Sequence, residues 1–107
     1  MRRGDFVTVA VAGDDGKPRP ALVVQADAFE AIPSVTLLPV TSELYDEALV
    51  RITVQPTPDN GLRAVSQVMV DKAVTVSRAK VGAVIGRAGD EAMQAVDLAL
   101  GRFLGVG

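Results

Sequence analysis

A chain with no histidine and no cysteine must do its chemistry with guanidinium, hydroxyl, ammonium and carboxylate groups. That removes imidazole acid–base catalysis, a Ser-His-Asp triad, a thiolate nucleophile and soft metal sites. Few residues then remain to be weighed. Arg19 precedes Pro20, which biases it towards extended backbone. Its side chain therefore leaves the chain where a loop rich in turn formers, Ala12 to Pro18, becomes the apolar run Ala-Leu-Val-Val. A guanidinium there is a planar, permanently charged fork that can hold two oxygens of an anion. Thr41-Ser42-Glu43 places two hydroxyls after another apolar run, in a pattern that reads as a helix N-cap. Asp71, with Lys72 behind it, interrupts a long β-prone stretch and by itself reads as a turn aspartate bonded to nearby amides. A metal would need hard carboxylate ligands. The acidic residues are scattered rather than clustered, so no metal or other cofactor is expected.

The elements that must position these groups follow from periodicity. Val7, Val9 and Val11 alternate with Phe6, Thr8 and Ala10, predicting a strand over Asp5 to Val11. Arg19 to Gln25 has a continuous apolar centre and predicts a strand buried on both faces. Val35 to Val40 is a third, with Pro39 as an edge or bulge signal, followed by one or two helical turns from Thr41-Ser42-Glu43 through Ala48. Val50 to Gln55 predicts a strand, and Asp59-Asn60-Gly61 a hairpin turn, since positive φ costs Asn and Gly little. Leu62 to Val76 reads as a strand pair or one bent strand interrupted at Asp71-Lys72. Ser77 to Lys80 resembles a helical turn, and Val81 to Arg87 a last strand. From Asp90, read as an N-cap, Met93, Val96, Leu100, Phe103 and Leu104 recur at helical spacing and make one apolar stripe. The sum is a mainly β (α+β) fold, a small curved sheet or barrel with a terminal helix packed on it, forming one domain over residues 1–107.

Composition sets the bounds. The chain has 107 residues, 49% apolar and 22% charged, which fits one folded domain and argues against disorder. Its net charge of −2 exerts no overall pull on nucleic acid. No run approaches the roughly 20 apolar residues of a membrane span, and Met-Arg-Arg-Gly-Asp is not followed by a signal-peptide core, so a cytoplasmic location is expected.

Four motifs in order resemble the MazF/PemK/Kid toxins of type II toxin–antitoxin systems. They are the opening Arg-Arg-Gly-Asp-Phe-Val; the glycine-containing loop ending Arg19-Pro20 with Ala-Leu-Val-Val after it; Pro39-Val40-Thr41-Ser42; and Gly61-Leu62, followed by Ser66 to Lys72 and the Ala-Val-Thr-Val segment. The likeness runs through the terminal helix. It implies an SH3-like β-barrel with appended helices, working as a homodimer. It implies a sequence-specific, metal-independent endoribonuclease, an mRNA interferase that cleaves single-stranded RNA by 2′-hydroxyl attack to a 2′,3′-cyclic phosphate. It implies a cognate antitoxin protein as partner.

The resemblance also assigns roles. Arg19 takes the position of the catalytic arginine, stabilising the phosphate as its charge rises. Thr41 takes that of a threonine beside the scissile phosphate, whose hydroxyl donates to a phosphate oxygen or orients the 2′-hydroxyl. As an N-cap its hydroxyl would be occupied, unless Ser42 takes the cap and releases it. Asp71 stands where some members carry an acidic residue proposed as general base. Those members have an arginine two residues earlier, and here that position is Met69, which leaves more of the work to Arg19. Asp14 stands where a glutamate is more usual, in a loop that gates the groove and touches RNA. Ser42 is a further catalytic or RNA-contact candidate, and Lys72, Gln67 and Arg51 are further RNA-contact candidates, each of the three also readable as a plain surface residue.

Two other classes compete. A gyrase inhibitor of the CcdB kind on the same barrel grips its target with a C-terminal tryptophan, and this chain has no tryptophan. A non-catalytic binding module would fit the net negative charge and the scarcity of aromatic stacking platforms, which are limited to Phe6, Phe29, Tyr45 and Phe103.

Overall fold

The structure is a computed structural model and describes residues 1–10, 17–46 and 49–107. Among the described residues the chain forms β1 Asp5–Val9, β2 Arg19–Val23, β3 Ser34–Thr41, β4 Arg51–Val54, β5 Ser66–Met69, β6 Val74–Ser77, β7 Val81–Arg87 and helix α1 Asp90–Leu104. The strands make one sheet in the order β4-β5-β3-β2-β1-β7, with β6 also paired to β3. All of the pairings are antiparallel.

β3 is the pivot. Its first half, Ser34 to Leu37, pairs with β6, and its end, Val40 and Thr41, pairs with β5. Pro39 falls in the gap between those two ladders, where a ring without an N–H is tolerated. Alternate side chains enter two apolar layers. Phe6, Leu22, Leu38, Val40 and Val68 pack with Val96 of α1 in one. Val7, Val9, Ala21, Val23, Val35 and Leu37 form the other. Leu22 of β2 enters the first layer and Ala21 and Val23 the second, and burial on both faces explains why β2 reads as a continuous apolar run rather than as alternation.

Three expectations need correction. No helix follows Thr41 among the described residues: Ser42 and Glu43 form a bend, residues 49 and 50 a turn, and residues 47 and 48 lie outside the description. Asn60-Gly61 does not close a tight hairpin, because β4 and β5 are antiparallel neighbours joined by the long connection 55–65. Instead Asn60 is buried and organises that connection. Its Oδ1 accepts from the N–H groups of Thr57 (3.1 Å) and Leu62 (3.0 Å), and its Nδ2 donates to the Gln55 carbonyl (2.8 Å). In α1 the N-cap is Gly89, and Asp90 lies within the first turn, where its charge complements the helix dipole. The buried stripe runs through Ala92, Met93, Val96, Ala99 and Leu100, whereas Phe103 and Leu104 stay 48% and 57% exposed. No helix among the described residues is long and apolar enough to cross a membrane.

Candidate active site

A cleft of about 910 Å³ opens at one end of the sheet, bounded by the start of β2, the end of β3 and the connection after Gly61. Arg19 is the first residue of β2 and is exposed. The β2–β3 ladder pairs Val23 with Leu37 and Ala21 with Pro39. Continued by two residues, that register would set Arg19 opposite Thr41 on the same face. The ladder stops first, and the two side chains line the cleft where the strands part.

Thr41 closes β3, and its Oγ1 accepts from the Glu43 N–H at 3.1 Å. The cap-like bond expected from the sequence therefore forms, but it closes a local turn rather than starting a helix. Because the oxygen accepts, the hydroxyl proton remains available for donation into the cleft. Ser42 lines the cleft beside it.

The helix is pre-empted by Gln67, which lies opposite Thr41 on β5. Its Oε1 accepts from the Tyr45 N–H (2.9 Å), and its Nε2 donates to the Tyr45 carbonyl (2.8 Å). A buried amide side chain thus takes both backbone groups of Tyr45, as a neighbouring strand would, and holds residues 42–46 against the sheet. Gln67→Leu should leave that donor and acceptor without partners. The expected cost is about 2 kcal/mol, read as a melting temperature lower by roughly 10 °C. An unchanged melt would show that the segment needs no such clamp.

The other sequence candidates lie elsewhere. Arg51 and Asp71 face each other, Nε to Oδ1 at 3.4 Å, and the Arg51 guanidinium lies 5.3 Å from the centre of the Tyr45 ring. Neither residue lines the cleft. Asp71 belongs to a short 3-10 turn, Val70–Lys72, that also leaves Lys72 exposed and apart from the cleft. Met69 forms part of the cleft wall. Asp14 lies outside the described residues. Two charged residues not singled out in the sequence do line the cleft, Glu43 and Arg63. In the sequence Glu43 reads as part of a cap motif. Arg63 offered only one signal, a charge directly after a turn and one buried leucine. No group of three or more acidic side chains able to hold a metal occurs among the described residues.

The cleft lined by Arg19, Thr41 and Ser42 thus lies at the end of an antiparallel sheet that carries one terminal helix. Residues 2–104 match the family model described as PemK-like, MazF-like toxin of type II toxin–antitoxin system, and the chain belongs to that family. It is 46% identical over 107 residues to the probable endoribonuclease MazF of Mycolicibacterium smegmatis, covering 99% of this chain and 98% of that one. The fold superposes on Mycobacterium tuberculosis toxin MazF-mt6 with a TM-score of 0.82 at 22% identity, covering 96% of this chain and 98% of that one. It superposes equally, at 0.82 and 20% identity, on an endoribonuclease in complex with its cognate antitoxin from a mycobacterial species, covering 100% and 97% of the two chains.

Proposed function

We propose that this chain, as one toxin domain over residues 1–107, is an endoribonuclease that cuts single-stranded RNA without a metal. The observation that carries the reading is the meeting of Arg19 and Thr41 in one cleft, in a chain nearly half identical to a protein named as an endoribonuclease. Both favour it over gyrase inhibition and over a non-catalytic module.

RNA supplies its own nucleophile. The 2′-oxygen bonds to the adjacent phosphorus, the bond to the 5′-oxygen breaks, and the 2′-proton is lost while the leaving oxygen gains one. The products are a 2′,3′-cyclic phosphate and a 5′-hydroxyl. Arg19 holds the non-bridging oxygens as negative charge gathers on the phosphorane. Thr41 donates to a phosphate oxygen or orients the 2′-hydroxyl. Incubation with a long RNA in EDTA should yield discrete cuts with those ends. No cleavage, or cleavage only after magnesium is added, would overturn the reading.

The same reading places the protein in the cytoplasm, with a cognate antitoxin as partner and a second copy of itself as subunit. The exposed Leu98, Phe103, Leu104 and Val106 support self-association, since they leave apolar surface on and just beyond α1. Sedimentation equilibrium at micromolar concentration should give about twice 11.1 kDa. A monomer throughout that range would refute the dimer.

A further inference from the structure

The eight arginines of this chain divide by what they touch. Four are engaged within the fold. Arg3, Arg51 and Arg87 pair with Asp97, Asp71 and Asp5, and Arg78 donates to the carbonyls of Ile32 (2.7 Å) and Phe29 (3.3 Å). The guanidiniums of the other four make no ion pair or hydrogen bond among the described residues. Two of those four, Arg19 and Arg63, line the same cleft. Among the described residues, a chain with net charge −2 thus gathers two uncommitted guanidiniums in its cleft against one carboxylate, Glu43.

The two arginines reach the cleft from different elements. Arg19 starts β2, and Arg63 stands in the β4–β5 connection. The base under Arg63 is fixed. Asn60 ties that connection to itself, Leu62 is buried at 8% exposure, and the Arg87 N–H donates to the Asp59 carbonyl at 2.8 Å. An exposed guanidinium on a hydrogen-bonded, packed base has less backbone freedom to lose on binding an anion, which favours its use as a grip. The cleft also lacks a cation at Met69, so Arg63 is its second positive charge among the described residues.

We infer that Arg63 is an RNA-binding residue that holds a phosphate neighbouring the scissile one, beside the phosphate held by Arg19. The inference rests on the endoribonuclease reading above. It divides the labour: Arg19 acts on the reacting phosphate, and Arg63 contributes to binding without touching the reacting atoms.

The test begins with the cut mapped on a long RNA. An oligonucleotide spanning it, with 2′-deoxyribose at the cut, is then bound but not cleaved. Its Kd is measured against salt for wild type, Arg63→Ala, Arg63→Lys and Arg102→Ala, the last an exposed arginine outside the cleft, with melts to confirm folding. Arg63→Ala should raise Kd about tenfold and reduce the slope of log Kd against log salt by about 0.7, the value of one single-strand phosphate contact. Arg63→Lys should keep the slope, and Arg102→Ala should match wild type. On cleavable RNA, Arg63→Ala should raise KM, leave kcat within about threefold and leave the cut positions unchanged. A wild-type slope in Arg63→Ala, or an equal loss of slope in Arg102→Ala, would overturn the inference while leaving the nuclease reading intact. A wild-type protein that neither binds nor cuts RNA would overturn both.

Discussion

Arg19→Ala should cut RNA about a hundredfold more slowly than wild type and melt at nearly the same temperature. The two expectations come from one placement. Arg19 is exposed at the first position of β2, with no partner among the described residues, so the fold loses little without it. Surface changes of this kind stay within about 0.5 kcal/mol. On the proposed mechanism the transition state loses a charged donor to the oxygens where charge accumulates, a term of about 3 kcal/mol. Arg19→Lys should recover only part of the rate, because an ammonium keeps the charge but not the fork that spans two oxygens. RNA with 2′-deoxyribose at the cut should resist the wild-type enzyme. Single-turnover rates beside thermal melts decide it. An alanine variant that cleaves at the wild-type rate, or a deoxy substrate cut normally, removes Arg19 from the mechanism.

That prediction could be framed from the sequence because Arg19 announces itself locally. The proline after it and the apolar run beyond fix an extended exit from a loop, whatever the rest of the chain does. The same holds for β2, whose doubly buried faces leave an unbroken apolar signature, and for the 3-10 turn at Asp71-Lys72, which interrupts a β-prone stretch. Legibility fails where a distant residue decides. A helix after Thr41 would need the Tyr45 N–H for its own ladder, but Gln67, 22 positions further on, already holds it. Asp71 looked like a turn residue or a base, and its environment is set by Arg51 on another strand, an ion pair no local pattern encodes. The periodicity extends the α1 stripe two residues beyond its buried part, since a hydrophobic period cannot tell which turn outruns the layer it packs on; Phe103 and Leu104 are exposed. Arg63 carries no local signature, because its place beside Arg19 and Thr41 is set by β2 and β3 rather than by its own segment.

Gly61→Ala should be among the most damaging single-methyl changes in the chain, and it joins the fold to the cleft. Gly61 has φ +71°, and a Cβ built on it would lie 2.0 Å from the Ile85 carbonyl oxygen and 2.7 Å from its carbon. Those are backbone atoms of β7, flanked by Val84 and Gly86, which pair with Val7 and Phe6 of β1, and neither side can yield by turning a rotamer. The contact is reciprocal: a Cβ on Gly86 would lie 2.2 Å from the Asn60 carbonyl carbon. Two glycines thus let the β4–β5 connection press directly on β7, and Arg63 and Leu62 enter the cleft from that contact. Gly105 isolates the steric part. Its φ is +72°, but no atom lies within 4 Å of its added Cβ. Gly105→Ala therefore carries the left-handed backbone penalty alone, about 1 kcal/mol, and should lower the melting temperature by roughly 5 °C. Gly61→Ala adds the backbone collision, for a total of about 4 kcal/mol or more, a large share of the 5–15 kcal/mol typical of a whole domain. If the protein remains folded, the connection must have lifted off β7, and RNA binding should weaken more than in Arg63→Ala, because the base under Arg63 has moved. Equal melting shifts for the two glycine variants would show that β7 gives way freely and that the contact does not hold this wall of the cleft.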